Sequence, residues 1–282
     1  MEIAVLLATF NRKEKTIACL RTLYAQKFST EVKIDVYLTD DASTDGTREA
    51  VKKEFPQVMI FVGSGSLFWA GGMRNSWQKA LNAQPDYYLL LNDDTALEQN
   101  AVENLLGYYH QKNAQLSTIC IGSTLDDFSG AVSYGGRKLH HPNKVQSYSV
   151  KSDTEYIECD LANANIMLVP KEVVAVIGIL SDDYTHSIAD FDYTLRAKKA
   201  GFKVVVAPGI LGHCVDDHGN NWKSADVSLK DRIKYLKSPK GLAYDEYLKF
   251  IKIHFPTHLP AAFFKLWLKT LFPLVWDKLK KN

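Results

Sequence analysis

The chain has 282 residues, of which 46% are hydrophobic and 23% are charged, and this composition argues against a disordered or fibrous protein. Its net charge of +2 is unevenly distributed, because residues 230–282 carry twelve Lys or Arg and only four Asp or Glu. The acidic remainder argues against general nucleic-acid binding, whereas the basic, aromatic C-terminal segment is typical of contact with an anionic surface.

The four cysteines, Cys19, Cys120, Cys159 and Cys214, are far apart and form no CxxC pair. This spacing predicts reduced, buried thiols with neither a disulfide framework nor a zinc site, as in a cytoplasmic protein. A strand-like run begins almost at the N-terminus, without the basic region and cleavage site of a secretory signal. We therefore expect a cytoplasmic location.

The first half of the chain alternates strand-like and helix-like segments, which predicts βαβ units and a largely parallel sheet. In chain order, strands at Ile3–Ala8, Lys33–Thr39, Val58–Val62, Tyr87–Asn92 and Ser117–Ile121 alternate with helices at Glu14–Gln26, Thr44–Phe55, Met73–Ala83 and Gln99–Tyr109.

The second half is less regular. Glycines and short alternating runs in residues 126–149 predict hairpins or loops on a mixed sheet. Helices are expected at Lys171–Ile177 and Ile188–Ala200, and a strand at Phe202–Ala207. Lysines and prolines interrupt the apolar segment Leu259–Trp276, which favours a helix lying on a membrane surface over one that spans it. The alternative is a helix packed on the body or on another subunit.

Two adjacent acids, Asp93 and Asp94, follow the apolar strand Tyr87–Asn92. Open α/β sheets bind ligands at the carboxyl ends of their strands. Oxygen ligands at that position suit a hard divalent cation, and such a cation suits a phosphate-bearing substrate. An isolated pair of this kind is more often a solvated turn.

A second acid pair, Asp40 and Asp41, follows the second strand. Turn formation and helix capping account for Ser43 and Asp45 in the same stretch, but not for acids at the strand tip itself. Carboxylates there can accept from a base N–H or a ribose hydroxyl. The glycine-rich stretch 63–75 lacks the spacing of a dinucleotide fingerprint and follows the third strand rather than the first.

Taken in order, three motifs resemble those of the family 2 glycosyltransferases, which have the GT-A fold. They are Thr9-Phe10-Asn11-Arg12, the stretch 40–47 (DDASTDGT) and Asn92-Asp93-Asp94. The stretch 68–75 (FWAGGMRN) is similar to a glycine-rich segment of the rhamnosyltransferase-like branch, which builds bacterial surface polysaccharides. The resemblance covers residues 3–213.

The resemblance implies an α/β fold with a mixed, mostly parallel sheet flanked by helices and a C-terminal helical tail. Residues 1–228 would form the GT-A domain, with a nucleotide-sugar half (1–122) and an acceptor half (123–228), and residues 229–282 the tail. The donor nucleotide would contact the following residues: Thr9, Asn11, Arg12, Asp40, Asp41, Gly71, Gly72, Arg74, Asn92 and Asp93. Asp94 would ligate Mg²⁺ or Mn²⁺ on the diphosphate.

An inverting transfer needs a base on the acceptor hydroxyl. The acids available are Asp182, Asp183, Asp190 and Asp192, and alignment with the family's Glu-Asp motif puts Asp190 at the position of the base. Acids in a first helical turn also complement the helix dipole, which is the structural alternative. By the same resemblance His213 would complete the metal or diphosphate site, although a lone histidine at a strand end is usually structural.

The resemblance therefore implies an inverting glycosyltransferase that moves a sugar from a dTDP- or UDP-linked donor to a glycan or lipid-linked acceptor. The tail would hold it at the inner face of the cell membrane, and a homodimer is left open. One alternative is a catalytically silent nucleotide- or glycan-binding scaffold of the same fold. A dinucleotide-dependent oxidoreductase is disfavoured, because residues 8–12 after the first strand contain no glycine.

Overall fold

The computed structural model describes residues 1–111, 117–215, 222 and 226–280. The strands are β1 (Glu2–Thr9), β2 (Lys33–Asp40), β3 (Met59–Val62), β4 (Tyr87–Leu91), β5 (Ala96–Leu97), β6 (Ile119–Leu125), β7 (Val132–Tyr134), β8 (Gly136–Leu139), β9 (Ser147–Val150), β10 (Ile157–Glu158), β11 (Leu161–Ala162), β12 (Ile166–Pro170) and β13 (Val204–His213). The helices are α1 (Lys13–Tyr24), α2 (Thr47–Glu54), α3 (Phe68–Ala80), α4 (Ala101–Leu106), α5 (Lys171–Ile177), α6 (Ala189–Lys199), α7 (Leu229–Lys237), α8 (Tyr244–His254), α9 (Leu259–Leu271) and α10 (Pro273–Lys280).

Within the described residues, the main sheet has the order β10-β13-β6-β12-β4-β1-β2-β3, with β5 and β7 at its side. β1 pairs in parallel with β2 and β4, and β6 pairs in parallel with β13. β12 runs antiparallel between β4 and β6. The carboxyl ends of the parallel strands therefore share one edge with the amino end of β12, and the predicted mixed, mostly parallel fold class is confirmed.

The sheet is buried on both faces because its strands are apolar at nearly every position. In β1, Leu6 belongs to a cluster with Trp77 of α3, whereas Leu7 belongs to a second cluster with Leu20 of α1. The four cysteines are free and buried, as predicted from their spacing.

Helix α3 begins at Phe68, five residues before the predicted start at Met73. The sequence pattern favoured a loop here because glycine weakens a helix interior by about 1 kcal/mol. A Cβ on Gly72 would lie only 2.7 Å from the Cβ of Ala8, so the glycine lets the helix pack directly on β1. That close packing extends the helix through both glycines.

Residues 229–280 form helices, as predicted, and some of their side chains enter the main core. Phe250, Ile251 and Phe255 belong to the same cluster as Trp77. The helices of this segment thus pack on the body, while the functional division into halves at residue 122 stays a prediction. Among the described helices, none is both long enough and apolar enough to cross a bilayer.

Candidate functional site

The acid pair that follows β4 is held by basic side chains from the loop and helix after β1. The Arg12 guanidinium contacts both Asp93, at 3.3 Å, and Asp94. The ammonium group of Lys15 lies 3.8 Å from Asp94. Two neighbouring carboxylates would repel each other without such partners, so the positive charges of α1 and its approach loop stabilise the strand tip.

The two acids have different partners. The Asp93 side chain is buried against the hydroxyl of Thr16, at 3.4 Å, and Thr16 in turn contacts the Thr9 hydroxyl at 2.8 Å. Burial raises the pKa of Asp93 to about 6, although Arg12 lowers it. The thiol of Cys214 lies 3.6 Å from one oxygen of Asp94.

Asp94, the predicted cation ligand, is paired with Arg12 and Lys15 in this structure. Mg²⁺ in enzyme sites is commonly held by one or two carboxylates, with substrate phosphates and water completing its ligands. Within the described residues, no group of three or more His, Cys, Asp or Glu side chains is arranged to bind a cation unaided. A cation held by Asp94 would need phosphate oxygens and water to complete its ligands, and ligation by Asp94 stays a prediction.

The second acid pair lies at the end of β2 and organises the loops around it. Asp40 accepts the Ser43 amide N–H at 2.9 Å. The carboxylate of Asp41 accepts the amide N–H groups of Gly65, Leu67 and Phe68 at 2.7–3.2 Å. Asp41 thereby orders the loop before α3. Direct contact of either acid with a nucleoside stays a prediction.

Asn11 connects the loops after β1 and β2. The side-chain oxygen of Asn11 accepts the Thr44 backbone N–H at 2.7 Å, and the backbone N–H of Asn11 donates to the Ser43 hydroxyl at 2.9 Å. The backbone of Asn11 has a φ of +52°, a conformation that asparagine tolerates better than most residues. Asn11 thus fixes the loop after β1 to the loop after β2.

Gly71, Gly72 and Arg74, which the resemblance placed at the nucleotide, all lie in α3. Both glycines are buried against neighbouring protein atoms. The Arg74 guanidinium donates to the carbonyl oxygens of Ser181 and Tyr184, both at 2.7 Å, and burial lowers its pKa. Gly72 packs α3 on β1, and Arg74 fixes α3 to the α5–α6 loop (residues 178–188). Contact of these residues with a nucleotide stays a prediction.

Asn92 has hydrogen-bond partners both in α3 and in the segment before β12. Its amide oxygen accepts the indole N–H of Trp69 at 2.7 Å, and its backbone N–H donates to the Asn165 carbonyl at 3.1 Å. Asn165 precedes β12, a strand that the sequence pattern did not predict. Because β12 is antiparallel to β4, its amino end brings residues 163–165 next to the acid pair.

Asp190 lies at the start of α6 and is bound to this same segment. Its carboxylate accepts the Ala164 amide N–H at 3.2 Å and contacts the Asn163 side-chain amide at 3.4 Å. Its other oxygen accepts the Phe191 amide N–H at 2.8 Å. Burial raises the pKa of Asp190 to about 6, even though these hydrogen bonds lower it. A carboxylate with this pKa is ionised at neutral pH and basic enough to take a proton.

The neighbouring acids have other partners. Asp183 forms an ion pair with Lys249 of α8. Asp192 is buried and contacts Arg196 and His254, both at 2.8 Å. Asp182 is exposed. Of the four acids considered as the base, Asp190 is the one tied to the segment beside β4.

His213 lies at the end of β13, and its ring contacts two carboxylates. Nδ1 lies 2.5 Å from Asp127 and Nε2 lies 2.8 Å from Glu98, and these hydrogen bonds raise the pKa of the ring. A metal ligand must be a neutral imidazole with a free nitrogen. Metal ligation by His213 stays a prediction, and it would require the ring to release one of these acids.

Backbone strain is concentrated at this edge of the sheet. Asn11, Ala42, Phe68 and Ile188 all have a φ between +52° and +73°. Such conformations cost about 1–3 kcal/mol each for residues other than glycine, and they persist where the surrounding structure imposes them. A β-branched residue such as Ile188 is especially unfavourable there.

Some residues of the site were not singled out for it by sequence. Lys15 and Cys214 approach Asp94, and neither belongs to a motif that would have indicated this. The indole N–H of Trp69 donates to Asn92, a contact that the glycine-rich stretch 68–75 did not indicate.

Comparison with protein families gives one match. The model described as Glycosyl transferase family 2 matches residues 4–157, which is more than half of the chain. No curated protein sequence matches it.

Several solved structures share the fold. S. aureus TarS 1–349 in complex with UDP-GlcNAc is 16% identical with a TM-score of 0.54, over 84% of this chain and 67% of that chain. The mannosyltransferase PcManGT from Pyrobaculum calidifontis, in complex with GDP-Man and Mn²⁺, is 14% identical with a TM-score of 0.55, over 92% of this chain and 72% of that chain. TarS 1–349 without a named ligand is 15% identical with a TM-score of 0.56, over 96% of this chain and 79% of that chain. At these identities the likeness shows the fold alone.

Proposed function

We propose that this chain, which belongs to glycosyl transferase family 2, transfers a sugar with inversion from a nucleoside diphosphate sugar to an acceptor hydroxyl. The observation that carries the proposal is the position of Asp190. Its carboxylate is bound to residues 163 and 164, next to the strand tip that carries Asp94. The proposed base is thus connected, through residues 163–165, to the strand tip that carries the proposed diphosphate-binding acid.

In the proposed reaction, the acceptor oxygen forms a bond to the anomeric carbon as the bond to the diphosphate oxygen breaks. The acceptor proton passes to Asp190, and the nucleoside diphosphate leaves. The amide groups around Asp190 hold its carboxylate in one orientation. Asp94 would hold Mg²⁺ or Mn²⁺, and a bound cation supplies a Lewis acid for the charge on the leaving diphosphate.

Other residues would act on the donor. Asn11 follows β1 and Asp40 ends β2, at the edge of the sheet where a nucleoside would lie. Arg12 and Lys15 bring positive charge to the strand tip, which favours an incoming diphosphate. We assign the donor to the dTDP- or UDP-linked class and the chain to the rhamnosyltransferase-like branch, on the motifs at residues 9–12, 40–47, 68–75 and 92–94. The products would be surface polysaccharide or glycolipid.

A donor panel tests this function. UDP-, dTDP- and GDP-sugars are incubated with the purified protein, with and without Mn²⁺, and the released nucleoside diphosphate is measured. We expect slow release from one donor class, and faster release with a matching glycan or polyprenyl-phosphate-linked acceptor. Saturable donor binding without turnover, over the full acceptor panel, would favour a catalytically silent scaffold.

The tail formed by residues 229–282 would contact an anionic membrane surface at the cytoplasmic face. Phe263 and Phe264 of α9 are 50% and 65% exposed, and Leu274 of α10 is 65% exposed. Exposed apolar side chains of this size usually mark an interaction surface. Lys265 is exposed directly after Phe264 on α9, and its charge favours anionic head groups over a second, equally basic copy of the chain.

We expect the double variant Phe264→Asp with Leu274→Asp to lose most of its binding to phosphatidylcholine–phosphatidylglycerol vesicles in a co-sedimentation assay. Each buried aromatic or leucine side chain contributes about 1.5–3 kcal/mol, so affinity should fall at least tenfold. Phe128→Asp is the control, because Phe128 is 87% exposed but lies between β6 and β7. Unchanged vesicle binding together with loss of a dimer on size exclusion would instead assign this surface to a second copy of the chain.

A further inference from the structure

The α5–α6 loop carries no predicted catalytic residue, yet it lies between the two sides of the proposed site. On one side, the Thr185 carbonyl accepts the Ala70 amide N–H at 3.1 Å, and Arg74 binds the loop through two carbonyl oxygens. On the other side, the loop ends at Ile188, directly before α6 and Asp190. The conformation of this loop therefore fixes where α6 begins.

The loop is held from outside by the C-terminal helices. Glu246 of α8 accepts the Thr185 hydroxyl at 2.6 Å through one carboxylate oxygen and the Thr185 amide N–H at 3.1 Å through the other. The Ser187 hydroxyl donates to the Pro239 carbonyl at 3.3 Å. A carboxylate that accepts two hydrogen bonds from one residue fixes both its backbone and its side chain.

A second contact from α8 reaches α6 itself. His254, at the end of α8, contacts the Asp192 carboxylate at 2.8 Å, and the two side chains are only 1% and 3% exposed. Asp192 lies two residues after Asp190, on the first turn of the helix. Glu246 and His254 lie at opposite ends of α8, so one rigid helix fixes the loop before Asp190 and the helical turn that carries it.

The loop does not rest in a relaxed conformation. Ile188 has a φ of +73°, which a β-branched residue adopts only when its surroundings impose it. Thr185 and Ser187, which contact the C-terminal segment, lie three residues and one residue before Ile188. Without these contacts the chain would be expected to relax at Ile188 and to move the start of α6.

From these contacts we infer that Glu246, supported by His254, is a positioning residue for Asp190, and that α8 is part of the catalytic machinery rather than only a membrane-facing tail. The inference rests on the proposed transfer reaction with Asp190 as its base. Leu248 and Lys252 of the same helix line the groove beside Phe263 and Phe264. One helix therefore connects the proposed membrane-facing surface to the proposed base.

The test compares Glu246→Ala, Glu246→Gln and Asp245→Ala in the full-length protein. A misplacement of a catalytic group by about 1 Å can cost about a hundredfold in rate. We expect Glu246→Ala to lower kcat for transfer by about tenfold to a hundredfold, with KM for the donor changed by less than about threefold, because the donor-side acids are intact. Glu246→Gln should recover most of kcat, because its amide can accept from the Thr185 N–H and donate to the Thr185 hydroxyl.

Asp245→Ala is the matched control, since it removes the same charge from the adjacent, exposed position of α8. Its kcat should equal that of the parent protein. Hydrogen–deuterium exchange supplies a readout that needs no turnover. In Glu246→Ala, amides of residues 181–191 should exchange at least tenfold faster, while those of β1 and β4 stay protected.

Faster exchange throughout β1 and β4 would mean that Glu246 serves only general stability, and it would overturn the inference. Unchanged exchange in residues 181–191 would overturn it as well, as would an equal loss of kcat in Asp245→Ala. If the parent protein turned over no donor, the proposed function would fail. The exchange data would then still decide whether α8 positions the start of α6.

Discussion

Replacing Asp190 by asparagine is expected to lower kcat for sugar transfer by about a hundredfold to ten-thousandfold, which is the usual contribution of a general base. Asparagine keeps the size of the side chain and can still accept one of the Ala164 and Phe191 amide N–H groups through its single oxygen, but it cannot take a proton. In the parent protein, burial raises the pKa of Asp190 to about 6, so kcat/KM should fall below about pH 6 as the base becomes protonated. Initial rates across pH 4.5–8 measure both effects.

The same substitution should change how stability depends on pH. An acid with a raised pKa binds its proton more tightly in the folded chain, so folded stability falls as the pH rises from about 4 to about 6, by roughly 2 kcal/mol for a partly buried carboxylate. Asp190→Asn removes this titration. The melting temperature of the variant should therefore fall less than that of the parent between pH 4 and pH 7.

Asp182→Asn is the control, because Asp182 is an exposed acid eight residues upstream. It should leave the rate and the pH profile as they are. If Asp190→Asn turned over as fast as the parent, another group would be the base. If Asp182→Asn carried the loss instead, that exposed acid would be the base.

Replacing Asp94 by asparagine is expected to lower kcat/KM for the donor by about a hundredfold to a thousandfold. The charge that develops on the leaving diphosphate would lose its cation, and removal of one such electrostatic contact costs about 3–4 kcal/mol. In the variant, Mn²⁺ should no longer stimulate release of the nucleoside diphosphate. A Mn²⁺ titration of the protein with bound nucleoside diphosphate, followed by electron paramagnetic resonance, measures the lost affinity without turnover.

Asp93→Asn separates the two acids. Asp93 is buried behind Asp94 against the threonine hydroxyls of β1 and α1. We expect a smaller loss of Mn²⁺ affinity than in Asp94→Asn. Equal loss in both variants would mean that both acids bind the cation, and unchanged Mn²⁺ affinity in Asp94→Asn would remove Asp94 from the site.

β1 to β4 could be predicted because apolar runs with polar tips have few alternative structures. β1, β2 and β4 were placed to within one residue at each end. α3 could not be placed as well, because the helix-weakening effect of Gly71 and Gly72 is local. The close contact between α3 and β1 that offsets it is visible only after folding.

The edge on which the acids lie was predictable for a similar reason. The tips of parallel strands meet at one edge of a sheet, which puts Asp40, at the end of β2, and Asp94, just after β4, on that same edge. What each polar group bonds to was not predictable. Asp41 turned out to order the loop before α3, and Arg12 to hold the acid pair, because both depend on loop conformations that local sequence does not specify.

The sequence by itself determined the fold class, the family resemblance and the set of acids from which a site could be built. Periodicity and strand-end chemistry are local properties, and they are written in consecutive residues. Only the tertiary structure decided that β12 returns antiparallel beside β4 and brings residues 163–165 to Asp190. It also decided that α8 reaches back over about sixty residues to Thr185 and Asp192, because such long-range contacts depend on how whole elements pack.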